Sequence, residues 1–215
     1  MMSRGLCAAL LAWSTPAFAA ESAPRHLIYQ HGRIVQDQQS ARPQHPRYGY
    51  YELDQILEAF RKRGFEVSGE IRPKTLPLSE ASDRLVAQVK QLLASGVPAD
   101  RVTVVGASMG AYISLRGSAR LQQPEMRFAF LGACRKESFR DVLAEEGKGL
   151  RGRLLFIREA SDELSAECEP VKSDADAEVP PFTREIVINT GLSHGFLYRP
   201  LPEWLDPVVE WALRR

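Results

Sequence analysis

The 215-residue chain carries 28 basic and 27 acidic residues, a formal net charge of +1, and 44 % of its residues are hydrophobic. A balance so close to neutral gives nucleic acid or an anionic membrane no general electrostatic purchase, so no nucleic-acid partner is expected. After the first twenty residues no apolar run approaches the ~18 residues that a membrane helix needs, which excludes an integral membrane segment in the mature chain.

Those first twenty residues read as a secretory leader. Arg4 supplies the positive start, residues 6–13 the apolar core, and Ala17-Phe18-Ala19 the small-x-small cleavage site. Residues 1–19 are expected to be removed, with cleavage after Ala20 as the alternative. The remaining residues 20–215 then form one domain in the bacterial periplasm or outside the cell.

The mature chain alternates short apolar runs with helical patterns. A buried strand reads at 27–30 and ends at His31-Gly32-Arg33. A long polar and aromatic loop follows to about Tyr50. Residues 51–63 have helical spacing, with Leu53, Ile56, Leu57 and Phe60 on one face and Gly64 as a terminator. A second strand reads at 65–71, and a long helix runs from a Ser79 or Ser82 cap to Ser95. The strand 102–105 leads through Gly106-Ala107-Ser108-Met109-Gly110 into a helix at 111–121. A fourth strand (128–131) ends at Gly132-Ala133-Cys134, and a helix at 137–146 leads to a fifth strand (154–158). The charged stretch 163–179 is a surface excursion closed by Pro180-Pro181. The sixth strand (185–189) ends in Thr190-Gly191-Leu192-Ser193-His194-Gly195, before a last amphipathic helix at 204–213.

Short, nearly all-apolar strands alternating with helices predict a parallel sheet covered on both faces. The expected architecture is α/β, a doubly wound three-layer sandwich of about six mainly parallel strands. Ligands in such sheets bind beyond the carboxyl ends of the strands, where His31, Ser108, Cys134, Asp162 and His194 fall.

The stretch 106–110 is the centre of the functional reading. A serine on a sharp strand-to-helix turn, with glycine two residues to either side, presents its Oγ clear of the backbone. A serine hydroxyl is a weak nucleophile at neutral pH and needs a base, which in turn needs an orienting carboxylate. His194, after the last strand, is the expected base. Asp162, after the fifth strand, is the expected acid, with Glu159 and Glu163 as rivals. The Met109 amide should be one donor to a tetrahedral oxyanion, and the Gly32 or Arg33 amide the other.

The Ser, Asp, His order, the Gly-Ala-Ser-Met-Gly elbow, the early His-Gly and the late Ser-His-Gly together resemble the α/β-hydrolase superfamily. The resemblance covers essentially the whole mature chain and implies a compact member without a large lid or the first two antiparallel strands. It implies hydrolysis of a small-molecule ester or related acyl substrate through an acyl-serine, with no cofactor and no metal. Peptide or amide cleavage, or a non-catalytic binding module, are the alternatives on the same fold. The superfamily's strand order would set the loops of Cys134 and Cys168 side by side, within reach of a disulfide. Arg42, Arg47, Tyr48 and Tyr50, in the loop beside the expected oxyanion site, are candidates to line the entrance. A dinucleotide-binding oxidoreductase fits less well. Tyr112 replaces the closing glycine of that fold's fingerprint, and the turn lies on the third strand rather than the first.

Overall fold

The computed structural model describes residues 23–133, 141–142, 144–146, 149–165 and 183–214. The leader, Cys134 and Cys168 lie outside the described residues, as does most of the charged excursion. Six strands form one sheet in the order β4-β1-β5-β6-β7-β8. They are β1 (Arg25–Gln30), β4 (Phe65–Ser68), β5 (Val102–Ala107), β6 (Arg127–Leu131), β7 (Arg153–Glu159) and β8 (Thr183–Ile188). Every pairing in this sheet is parallel. All six strands therefore deliver their following loops to the same edge.

The side chains of each strand alternate between two cores. Leu27, Tyr29, Val105, Ala107, Ala129, Leu131, Leu155 and Ile157 face one way, against α2 (Leu53–Arg61) and α5 (Pro202–Leu213). Ile28, Val102, Val104, Phe128, Phe130, Leu154 and Phe156 face the other, against α3 (Leu78–Ala94) and α4 (Met109–Leu121). Both faces are apolar because both are covered, which is why the strands read as continuous hydrophobic runs. Among the described residues no helix is long and apolar enough to cross a membrane.

The structure departs from the sequence reading in the stretch after β1. Residues 33–50, expected as loop, contain a helix α1 (Arg33–Gln38) and a hairpin of β2 (Gln44–His45) and β3 (Gly49–Tyr50). Six residues are too few to display helical periodicity, and in α1 only Val35 and Gln36 are buried. The second strand stops at Ser68 rather than residue 71, where its register with Ile28 of β1 ends. Ile71 is already 38 % exposed. Of the helix expected at 137–146, residues 141–142 and 144–146 are helical and the others lie outside the described residues.

The β5–α4 turn is the tightest point of the fold. A Cβ on Gly106 would come 2.6 Å from the Ala111 Cα, and one on Gly110 would land inside the Gln30 carbonyl of β1. Both obstacles are backbone, which cannot swing aside. A Cβ on Gly117, further along α4, would meet the Leu85 side chain, 2.9 Å from Cδ2 and 3.6 Å from Cγ, and no backbone. Gly110→Ala is therefore expected to destabilise the protein by more than the ~3 kcal/mol upper range of ordinary overpacking. Gly117→Ala should change stability by no more than about 1 kcal/mol, since helix propensity offsets the contact. Urea unfolding of the two variants distinguishes these outcomes.

Candidate active site

Ser108 stands at the apex of that turn with φ 52° and ψ −118°, a left-sided conformation strained for a residue with a Cβ. Its amide donates to the Leu131 carbonyl of β6 at 2.8 Å, fixing the apex to the neighbouring strand. α4 begins at the next residue, so the Met109 amide is among the first-turn donors without an intrahelical acceptor. The Ser108 Oγ lies 2.9 Å from the Nε2 of His194.

His194 sits in a short 3-10 helix (Ser193–Tyr198) that follows β8, with Ser193 at φ 50°. Its ring passes over Gly132 after β6, where a Cβ would come 3.3 Å from the imidazole Cε1. On the other side Tyr48, in the hairpin turn, packs onto Gly195. The imidazole is thus boxed in by a glycine below and an aromatic wall beside it.

Three carboxylates lie at or just after the end of β7, and their environments differ. Asp162 is 5 % exposed, and its Oδ2 lies 2.7 Å from the His194 Nδ1. Its Oδ1 accepts the Leu164 amide at 3.0 Å, which holds the carboxylate plane in place. Glu163 projects into solvent, 3.6 Å from Arg47. Glu159 ends β7 and is fully buried, but it does not meet His194. Its Oε1 accepts the amides of Thr190 and Gly191 at 2.9 and 3.1 Å. Its Oε2 accepts the amide and hydroxyl of Ser161 at 2.7 and 2.5 Å. The Ser161 Oγ in turn accepts the Ser193 amide at 3.2 Å. Glu159 therefore ties the Asp162 loop to the His194 loop. Sequence reasoning met this residue only as a rival acid.

On the opposite side of Ser108 lies His31-Gly32-Arg33. A Cβ on Gly32 would stand 3.7 Å from the Ser108 Cβ, so this backbone runs directly beside the serine. The Arg33 amide opens α1 and has no acceptor within the helix. The Gly32 amide also interacts with the Tyr51 hydroxyl, which burial pushes up to about 12. A cleft of about 730 Å³ opens over Ser108, walled by Tyr48, Tyr112, Leu164, Leu197 and Tyr198.

Of the residues expected at the entrance, Tyr48 lines the cleft and the other three do not. Arg42 pairs with Glu52 at 3.0 Å and lies over the Tyr50 ring, while Arg47 is drawn toward Glu163. Of the other histidines, His26 pairs with Glu66 at the far end of the sheet, whereas His45 lines the cleft and stacks on Tyr48. Asp206 lies within α5 and pairs with Arg63 at 2.6 Å. Among the described residues no three His, Cys, Asp or Glu side chains are grouped to share a metal ion.

The fold is similar to that of several solved structures. One is a serine hydrolase without a lid from Xanthomonas campestris, with TM-score 0.53 and 17 % identity, covering 90 % of this chain and 83 % of that one. Another is an esterase from Pyrococcus furiosus, with TM-score 0.55 and 18 % identity, covering 89 % and 82 %. A third is a hyperthermophilic esterase from Pyrobaculum calidifontis, with TM-score 0.56 and 15 % identity, covering 90 % and 77 %. The chain has the α/β-hydrolase fold. No protein-family model and no curated protein matches the sequence.

Burial alone would raise the Glu159 pKa, but the hydrogen bonds from Ser161 and the Gly191 and Thr190 amides outweigh it and lower the value. A carboxyl lowered on folding stabilises the native state above the ordinary glutamate range and loses that contribution as pH falls below it. In Glu159→Gln one oxygen becomes an NH2 facing existing donors. The variant should lose about 1–3 kcal/mol at neutral pH. Its stability should also fall less steeply in acid than that of the parent, as measured by urea unfolding across a pH series.

Proposed function

We propose that the protein is a serine hydrolase that cleaves an ester-type bond, a carboxylic ester or a thioester, through an acyl-serine intermediate. The single observation that carries this reading is the continuous chain from Ser108 Oγ through both nitrogens of His194 to the buried Asp162. Asp162 accepts a hydrogen bond from Nδ1–H, which leaves the Nε2 lone pair facing the serine.

In the first half-reaction Ser108 Oγ attacks the acyl carbonyl while His194 Nε2 takes the hydroxyl proton. The oxyanion is received by the Met109 amide and by the Arg33 amide, since the Gly32 amide is engaged with the Tyr51 hydroxyl. Collapse of the intermediate breaks the bond to the alcohol or thiol, which leaves with the proton from His194. Water then attacks the acyl-serine, giving its proton to His194, and the second collapse frees the acid and returns the proton to Ser108. Asp162 stays ionised and stabilises the imidazolium in both halves. The aromatic and aliphatic walls of the cleft support a substrate with an apolar group on at least one side of the bond. The leader read in residues 1–19 supports a periplasmic or secreted enzyme, which cell fractionation tests.

Ser108→Ala should retain the fold and abolish turnover of p-nitrophenyl esters. The parent should react with a fluorophosphonate at Ser108, whereas a binding module with an unactivated serine stays unlabelled. An acyl chain-length series run beside peptide and thioester substrates assigns the bond cleaved. Asp162→Asn is expected to lower kcat by as much as ~10⁴-fold with the fold intact. Asp206→Asn should leave kcat within about twofold, a surface change outside the chain of hydrogen bonds. His194→Gln should remove most of the ester rate while Asp206→Asn does not.

A further inference from the structure

Arg72 is a buried cation that the reaction scheme above does not use. It lies in the loop after β4, 6 % exposed, and among the described residues no carboxylate pairs with it. Its guanidinium instead donates to neutral oxygens: Nη2 to the His31 carbonyl at 2.5 Å, Nε to the Gln36 Oε1 at 3.0 Å and Nη1 to the Gln30 Oε1 at 3.4 Å. Burial lowers its pKa to about 10, which still leaves it protonated at neutral pH. An unpaired guanidinium in this position is costly and is tolerated only because several oriented dipoles solvate it.

The same residue also acts through its backbone. The Arg72 amide donates to the Nε2 of His31 at 3.1 Å, so the ring proton of the neutral imidazole sits on Nδ1. That nitrogen donates to the Gly32 carbonyl at 2.8 Å. Burial, and then the charge of Arg72, lower the His31 pKa to about 3, so this arrangement persists across the working pH range.

The two carbonyls held in this way belong to the peptide groups whose N–H ends are those of Gly32 and Arg33. A peptide's N–H points opposite to its C=O. A donor that fixes the carbonyl therefore also aims the amide and draws electron density from it.

We propose that Arg72 is a positioning residue for the oxyanion site: it holds the His31 carbonyl directly and the Gly32 carbonyl through neutral His31, and so fixes the His31-Gly32-Arg33 backbone that presents the Arg33 amide beside Ser108. The inference rests on the acyl-serine reading above. The buried charge stands behind the peptide dipoles, where it favours an oxyanion in front of them and has little to favour in a neutral substrate. The effect should therefore appear in the transition state and not in ground-state binding.

The test compares the parent, Arg72→Met and Arg72→Lys in hydrolysis of p-nitrophenyl butyrate. It also measures inhibition by propylboronic acid, which places boron where the acyl carbon stands and forms a tetrahedral adduct with the serine. For Arg72→Met we expect kcat to fall ~10–100-fold, less than for deletion of an oxyanion donor itself. KM should stay within about threefold, and the inhibition constant should rise by the same factor as kcat/KM falls. Fluorophosphonate labelling of Ser108 should remain stoichiometric in both variants. Arg72→Lys keeps the charge with fewer donors, and should fall between parent and Arg72→Met on the same line relating kcat/KM to the inhibition constant. If Arg72→Met fails to fold, Arg72→Lys carries the test through that proportionality. Unchanged boronate affinity in a slower variant, or unchanged kcat in a folded one, overturns the proposal. A parent that neither takes the label nor cleaves the ester overturns the acyl-serine reading itself.

Discussion

α4 leaves β5 so steeply that its first turn touches the backbone of both β5 and β1, and no side chain fits at residue 106 or 110. That contact determines where Ser108 can be. Its positive φ is imposed by rigid elements on either side, not by any preference of its own. The same contact brings α4 against the end of β1, which puts the His31-Gly32-Arg33 backbone beside the serine. The parallel sheet then supplies everything else at one edge: Gly132 from β6, Asp162 from β7 and His194 from β8.

Glu159 and Asp162 show how three residues of separation divide two carboxylates into different duties. Glu159 is still the last residue of the strand, so its side chain is fully buried and it meets the backbone amides of the adjoining β8 loop. Asp162 follows a turn closed by its own amide on the Glu159 carbonyl, and that turn carries it across the edge to the imidazole. A shorter side chain at 162 and a longer one at 159 suit these reaches. Exchanging the roles would require the chain to leave the strand in a different direction.

Most of this was legible in the sequence because it rests on local pattern. Apolar runs gave the strands, the glycine spacing gave the elbow, and position after successive strands gave Ser108, Asp162 and His194 a common edge. What was not legible depends on contacts between distant segments. The helix α1 is too short to show a period, and its burial of Val35 is decided by packing. Nothing around Arg72 in the chain marks it, since its acceptor, the His31 carbonyl, lies 41 residues earlier. Arg42 and Arg47 were plausible at the entrance until the fold placed Glu52 and Glu163 beside them. Charge in a loop is visible in a sequence, whereas the acid that neutralises it is not.

The two sides of Ser108 are built on opposite versions of one device. On the β7–β8 side a buried anion, Glu159, gathers N–H groups and holds the loop that carries His194. On the β1–β4 side a buried cation, Arg72, takes the His31 carbonyl and the Gln36 side-chain oxygen, and leaves the amide of the His31–Gly32 peptide directed away from it. Among the described residues neither charge has an ionic partner; each is stabilised by oriented dipoles. A counter-ion would cancel the field and release the dipoles, so full pairing would be better for stability and worse for orientation. In both places a buried charge is retained where a backbone loop must keep one direction. The sign of each charge matches the end of the peptide that it holds: the anion Glu159 takes N–H groups, and the cation Arg72 takes a carbonyl.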